Sequence, residues 1–106
     1  MISRSLRRFA STQSADSKWW LVRYNYVPNI LERRKPFRSD HLAHAQKYKQ
    51  DGTVVMGGAF ANPTDGAAVV FQTQNIDTIH EFIKNDPYVV NGLVTDHEIR
   101  EWTVVV

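Results

Sequence analysis

The segment FRSDHLAHAQKYKQDG, residues 37–52, concentrates groups that can do proton chemistry. It holds two histidines, an arginine and an aspartate within the first two turns of a predicted amphipathic helix. Because an imidazole group has an ordinary pKa of about 6.5, it can take or give a proton near neutral pH. His41 is therefore a candidate general acid or base. A second interpretation stays open, since Arg38, Asp40 and His44 are spaced to form a local charge network on the same helix.

Other residues carry candidate roles in binding. Arg38 can hold a carboxylate through a forked pair of hydrogen bonds, which favours a small organic acid as ligand. Asp86 precedes a proline, so it is either a turn initiator or a site carboxylate. Tyr88 either packs or hydrogen-bonds a ligand. Gly57 and Gly58 are not followed by the lysine of a phosphate loop, and they indicate a close backbone approach or a bulge.

The composition excludes or disfavours several kinds of chemistry. The 106 residues contain no cysteine, which excludes disulfides, thiolate metal sites and thiol nucleophiles. His80 and His97 are far from His41 in the sequence, and no dinucleotide fingerprint is present, so we expect neither a metal nor another cofactor. No apolar stretch approaches the roughly 20 residues of a spanning helix, so no membrane insertion is expected.

The net charge of +2 has its origin at the N-terminus. Residues 1–17, MISRSLRRFASTQSADS, contain three arginines and no acid before Asp16, which is the composition of a mitochondrial transit peptide. We therefore expect a mitochondrial protein, located in the matrix; the alternative is a disordered basic tail. Without these arginines the chain has 10 basic and 11 acidic residues, so nucleic-acid binding is not expected.

The first half of the remaining chain predicts a strand followed by a helix. Trp19–Val27 is dense in aromatic and β-branched residues, which indicates a central strand. A helix is predicted for residues 39–50, with Ser39 or Asp40 as its cap. Three residues at helical spacing are expected to turn towards a sheet: Leu42, Ala45 and Tyr48.

The second half predicts three more strands and a second helix. Strands are expected at residues 53–60 and 67–73, and a helix of about nine residues should follow the cap Asn75. A short turn or helical segment is expected near residues 86–94. The last strand, within residues 95–105, needs a bulge if its three large apolar side chains are to share one face.

This order is strand, helix, strand, strand, helix, strand, the βαββαβ arrangement of ferredoxin-like split βαβ folds. It predicts an α+β domain over residues 18–106, in which an antiparallel four-stranded sheet carries two helices on one face. The other face of a sheet so rich in aromatic residues and valine would remain apolar. A homodimer that buries this face against a twin sheet is therefore predicted.

Three stretches together resemble the YciI-like (YCII-related) family. They are LERRKPFRSDHLAHAQKYKQDGTVVMGGAF, NDPYVVNGLV and HEIREWTVV, and the likeness covers residues 18–105. The resemblance implies a dimeric α+β barrel and small enzymes that use a histidine and an aspartate, here His41 and Asp86. This sequence departs from the family where Ala59 follows Gly58, since many members have proline there.

The function that the resemblance implies is cofactor-free proton transfer on a small, acidic organic molecule, by isomerisation, lactone opening or elimination. His41 and Asp86 would be catalytic, and Arg38, Tyr88 and Gly58 would bind the substrate. One alternative is a non-catalytic ligand-binding or accessory module of a mitochondrial assembly. Another is a monooxygenase of the same barrel type, with a pocket lined by three aromatic residues for which core packing is the simpler interpretation: Trp19, Trp20 and Tyr24.

Overall fold

A computed structural model describes residues 17–106 of the chain. The predicted transit peptide, residues 1–17, lies outside this range except for its last residue. The elements, in chain order, are β1 (Lys18–Tyr26), α1 (Ile30–Arg33), a 3₁₀ turn (Lys35–Phe37), α2 (Arg38–Gln50), β2 (Val54–Ala59), β3 (Gly66–Thr73), α3 (Ile76–Asn85), α4 (Pro87–Val90) and β4 (Val94–Trp102).

The four strands form one antiparallel sheet in the order β2-β3-β1-β4. β1 lies at the centre, where Val22 pairs with Val69 of β3 on one side and Ile99 of β4 on the other. The long helices α2 and α3 cover one face of this sheet. The predicted ferredoxin-like α+β fold is confirmed.

Alternation along β1 separates the buried face of the sheet from the open face. Val22, Tyr24 and Tyr26 are buried, whereas Arg23 and Asn25 between them are exposed. The helices complete the same core. Its further large members include Phe71 of β3 and three residues of α3: Ile79, Phe82 and Ile83.

The helix α3 begins as the sequence predicts. The side chain of Asn75 accepts a hydrogen bond from the backbone nitrogen of Asp77 at 2.9 Å, which confirms the predicted cap. The helix α2 begins differently. It starts at Arg38, directly after the 3₁₀ turn, and no side chain caps it. The caps predicted at Ser39 and Asp40 are wrong, because the preceding turn already carries the chain into the helix and leaves both residues inside its first turn.

The buried face of α2 also differs from the prediction. Leu42 is 48% exposed, and the buried side chain of the helix is that of His44. A histidine can occupy this position because its Nε2 atom lies 2.8 Å from the carbonyl oxygen of Phe82, which satisfies the polar ring. Ala45 and Tyr48 are half-buried against the core, as predicted.

The last strand reaches only Trp102, earlier than predicted, and its large apolar residues do not share a face. Ile99 pairs with Val22 on the buried face, whereas Trp102 pairs with Trp19 on the open face. The bulge needed to align these residues is absent between them. A register shift does occur further up the ladder, where the partners change between Asn25 and Tyr26.

Candidate active site

Asp86 is placed by the junction between α3 and α4. It is the N-cap of α4, and its Oδ1 atom accepts a hydrogen bond from the backbone nitrogen of Tyr88 at 2.9 Å. Pro87 occupies the first turn of α4, where its missing N–H costs nothing. The local sequence Asp-Pro-Tyr therefore fixes the carboxylate, which has no solvent-exposed surface.

The helix α2 brings His41 onto this carboxylate. The Nδ1 atom of His41 lies 2.7 Å from Oδ1 of Asp86, and the hydroxyl of Tyr24 donates to Oδ2 at 2.9 Å. With the Tyr88 amide, the carboxylate has three partners, which compensate for its burial. An ionised carboxylate only accepts, so we assign the ring proton to Nδ1. The lone pair of His41 then lies on Nε2.

The ring of His41 is also fixed from one side. It stacks on the ring of Tyr88 with a centroid distance of 3.7 Å and an interplanar angle of 3°. The hydroxyl of Tyr88 in turn accepts a hydrogen bond from Arg38 at 3.1 Å. The hydrogen bond to Asp86 and the stacking on Tyr88 together fix the orientation of the His41 ring. Its side chain is 15% exposed, so the ring keeps contact with the adjoining cavity.

Two tyrosines of β1 border the carboxylate. Burial, followed by the charge of Asp86, raises the pKa of Tyr24 far above its ordinary range, so Tyr24 remains a donor. Burial and the nearby Tyr88 and Asp86 raise the pKa of Tyr26 to about 12, although Arg34 and Arg38 act in the opposite direction. Both phenols are therefore protonated at neutral pH.

A cavity of about 750 Å³ opens between α2 and the strands β2 and β3. Its volume is that of a small-molecule site. One end is polar and carries Tyr24, Tyr26, Arg38, His41 and Asp86. The rest of the wall is largely apolar and includes Leu42, Ala45, Val54, Val55, Met56, Ala67, Val69 and Phe82.

The five predicted site residues differ in their position relative to the cavity. Arg38, His41 and Asp86 meet at the polar end of the cavity. Gly58 lies on the wall, but an added Cβ there would meet nothing within 4 Å, so no close approach explains the glycine. Tyr88 has no exposed surface, stacks on His41 and is not among the residues that line the cavity.

The charge network considered for α2 does not form. His44 is bonded to the Phe82 carbonyl rather than to Asp40, and Arg38 is bonded to Tyr88. Within residues 17–106, no three potential metal ligands cluster. Across the same residues, no helix is long and apolar enough to cross a membrane.

Sequence reasoning missed Tyr26 and treated Tyr24 as a packing residue. The available signal was their alternation with Val22, which places all three on the buried face of β1. That pattern does not distinguish a core tyrosine from a cavity tyrosine. The distinction depends on how closely α2 approaches the sheet, which is a property of the folded chain.

The fold and this geometry define a ferredoxin-like protein in which a histidine paired with a buried aspartate borders a cavity. Residues 19–103 match the family model of the YCII-related domain, and the chain belongs to this family. An uncharacterized protein from Haemophilus influenzae is 28% identical over 88 residues, a match that covers 74% of this chain and 90% of that protein.

Two solved structures share the fold. One is a 5-chloro-2-hydroxyhydroquinone dehydrochlorinase from Burkholderia phenoliruptrix in complex with 2,5-dihydroxybenzoquinone. It has a TM-score of 0.70 and 22% identity, and the match covers 80% of this chain and 93% of that one. The other is a candidate antibiotic biosynthesis monooxygenase from Bacteroides thetaiotaomicron, with a TM-score of 0.55, 12% identity and coverage of 85% and 90%.

Proposed function

We propose that this protein is a small enzyme that catalyses cofactor-free proton transfer on a small organic acid, by isomerisation, lactone opening or elimination. The observation that carries this proposal is the contact of 2.7 Å between His41 and the buried Asp86 at the polar end of a cavity. A histidine held in one tautomer by a carboxylate, with its other nitrogen unoccupied, is suited to act as a general base.

The residues have distinct roles in this proposal. His41 takes a proton from the substrate at Nε2 and becomes an imidazolium ion, which the carboxylate of Asp86 stabilises. The electron pair of the broken bond moves towards a neighbouring carbonyl and forms an enolate. The imidazolium then returns the proton to a different atom in an isomerisation. In an elimination, the enolate expels a leaving group as an anion, and His41 passes its proton to that anion or to water.

The shape and charge of the cavity support a substrate with an apolar body and an acidic end. The apolar wall can cover a ring or short chain, and Arg38 offers a cation at the polar end. The dehydrochlorinase with a similar fold was solved with a hydroxylated quinone, a flat molecule with several oxygens. Substrates of this shape are the first to test.

Removal of the base tests the proposal. Hydroxylated quinones, 2-oxo acids and lactones are incubated with the protein in D₂O, and mass spectrometry measures solvent deuterium incorporation and product formation. His41→Asn should lower the rate on any active compound by a factor of about 100 or more. The matched control is His80→Asn, which changes an exposed histidine of α3 and should leave the rate unchanged. Equal rates for wild type and His41→Asn would contradict the mechanism, and no active compound would favour a non-catalytic binding module.

The proposal includes a mitochondrial location. It is supported by the arginine-rich, acid-poor composition of residues 1–17. Fusion of these residues to a fluorescent protein tests it, and fluorescence outside mitochondria would contradict it.

A further inference from the structure

Three tyrosines, Tyr24, Tyr26 and Tyr88, pack edge to face beside the His-Asp pair. The ring centroids of Tyr26 lie 6.4 Å from Tyr24 and 6.0 Å from Tyr88. The hydroxyls of Tyr24 and Tyr88 form hydrogen bonds within the protein. Tyr24 donates to Asp86, and Tyr88 accepts from Arg38.

The hydroxyl of Tyr26 differs from these two. It makes no hydrogen bond with any group of residues 17–106, although the residue is only 9% exposed. A buried tyrosine hydroxyl normally has a partner, because an unpaired polar group is costly. Tyr26 lies on the wall of the cavity. A partner for its hydroxyl is therefore available from a molecule in that cavity.

The surroundings of Tyr26 define the chemistry of that partner. The phenol is neutral at neutral pH and acts as a hydrogen-bond donor, since the pKa of Tyr26 is raised to about 12. Arg38 lines the same cavity, and its guanidinium donates to the hydroxyl of Tyr88, whose ring centroid lies 6.0 Å from that of Tyr26. A neutral donor beside a cation favours an oxygen that carries negative charge.

We propose that Tyr26 and Arg38 form an oxyanion-binding subsite, which takes the substrate oxygen that becomes negative when His41 removes a proton. This inference rests on the proposed function and adds a catalytic residue to it. The ligand class is an enolate, phenolate or hydroxyquinone oxygen on a compact apolar body. Tyr26 acts by donating one hydrogen bond to that oxygen, and Arg38 supplies the charge.

A single-atom change tests this subsite. Tyr26→Phe removes the hydroxyl and keeps the ring that packs against Tyr24 and Tyr88. The probe is 2,5-dihydroxybenzoquinone, and its equilibrium binding is measured by isothermal titration calorimetry. Tyr26→Phe should weaken binding by about 10-fold or more, because a hydrogen bond to a charged oxygen is lost. The control is Tyr48→Phe, which removes a hydroxyl from a half-buried ring outside the cavity wall and should bind as wild type does.

A second probe separates ligand contact from a general loss of structure. The apolar compound para-xylene lacks the oxygen, so Tyr26→Phe should bind it at least as well as wild type. Equal affinity of wild type and Tyr26→Phe for 2,5-dihydroxybenzoquinone would overturn the subsite. Equal weakening for both probes would also overturn it, because the effect would then be structural. Absence of binding by wild type would overturn the ligand class and the subsite together.

Different experimental results would contradict the proposed function and the proposed subsite. His41→Asn should lower the rate of deuterium exchange by a factor of about 100 or more and still bind the hydroxyquinone within a few-fold of wild type. If exchange persists in His41→Asn while Tyr26→Phe loses binding, the subsite stands and the role of His41 as base falls. If His41→Asn loses exchange while Tyr26→Phe binds normally, the base stands and the subsite falls.

Discussion

At the scale of single residues, Asp86 performs two tasks with one carboxylate. Its Oδ1 atom caps α4 through the Tyr88 amide and also meets Nδ1 of His41, while Oδ2 accepts from Tyr24. The helix cap and the orientation of the histidine are thus coupled. An aspartate before a proline is sufficient reason for a turn. The sequence leaves open whether Asp86 starts a turn or serves as a site carboxylate. In the structure it makes both the contact that caps α4 and the contact with His41.

Sequence patterns predict the roles of individual side chains less well than they predict helices and strands. The family resemblance led to His41 and Asp86, which are 45 positions apart and meet in the structure. It gave no reason to single out Tyr26, because a tyrosine in an alternating strand is ordinary. Whether its hydroxyl has a partner depends on where α2 leaves a gap, which no local pattern encodes.

At the scale of elements, α2 is the helix that holds the site in place. It carries His41 and Arg38 on the cavity side. Its His44 packs against Phe82 of α3 and also contacts the ring of Tyr48 within α2. The order and type of the long elements follow from hydrophobic periodicity and turn residues, and these predictions were confirmed. The prediction that Leu42 lies on the buried face of α2 is wrong, since His44 is the buried residue. A hydrophobicity pattern counts histidine as polar, so it cannot identify a histidine that is buried with a hydrogen bond.

The contact between α2 and α3 leads to a stability prediction. His44→Ala should lower the free energy of unfolding by about 2 kcal/mol, since the hydrogen bond to the Phe82 carbonyl and the aromatic packing are both lost. Urea denaturation followed by circular dichroism measures the change. His80→Ala, at an exposed position of α3, should change it by less than about 0.5 kcal/mol. Equal stabilities for the two variants would show that His44 does not dock the helix.

At the scale of the whole molecule, the sheet has a face that the helices leave open. Trp19 and Trp102 pair on this face, and Leu21 pairs there with Val70. Trp102 is 45% exposed. We propose that a second copy of the chain covers this apolar end, in a homodimer whose sheets pack face to face. The cavity that holds the His-Asp pair lies on the opposite side of the sheet, next to α2.

The proposed dimer leads to a prediction about mass. Native mass spectrometry should give twice the mass of one chain for wild type. Leu21→Arg should give the mass of one chain, because it places an uncompensated charge in the covered face. Leu31→Arg is the control, since Leu31 is 53% exposed on α1 rather than on the sheet, and it should remain dimeric. A monomeric wild type would contradict the dimer and leave the His-Asp geometry unaffected.

The proposed mechanism requires that the carboxylate of Asp86 hold His41 as the Nδ1–H tautomer, with Nε2 unprotonated. The most direct measurement is a long-range ¹H–¹⁵N NMR spectrum of the histidine rings in wild type and Asp86→Asn. We predict that His41 of wild type is the Nδ1–H tautomer when neutral, and that Asp86→Asn loses this preference because the neutral amide no longer favours one ring proton. A neutral His41 that carries its proton on Nε2 in wild type, or an unchanged tautomer in Asp86→Asn, would contradict the claim.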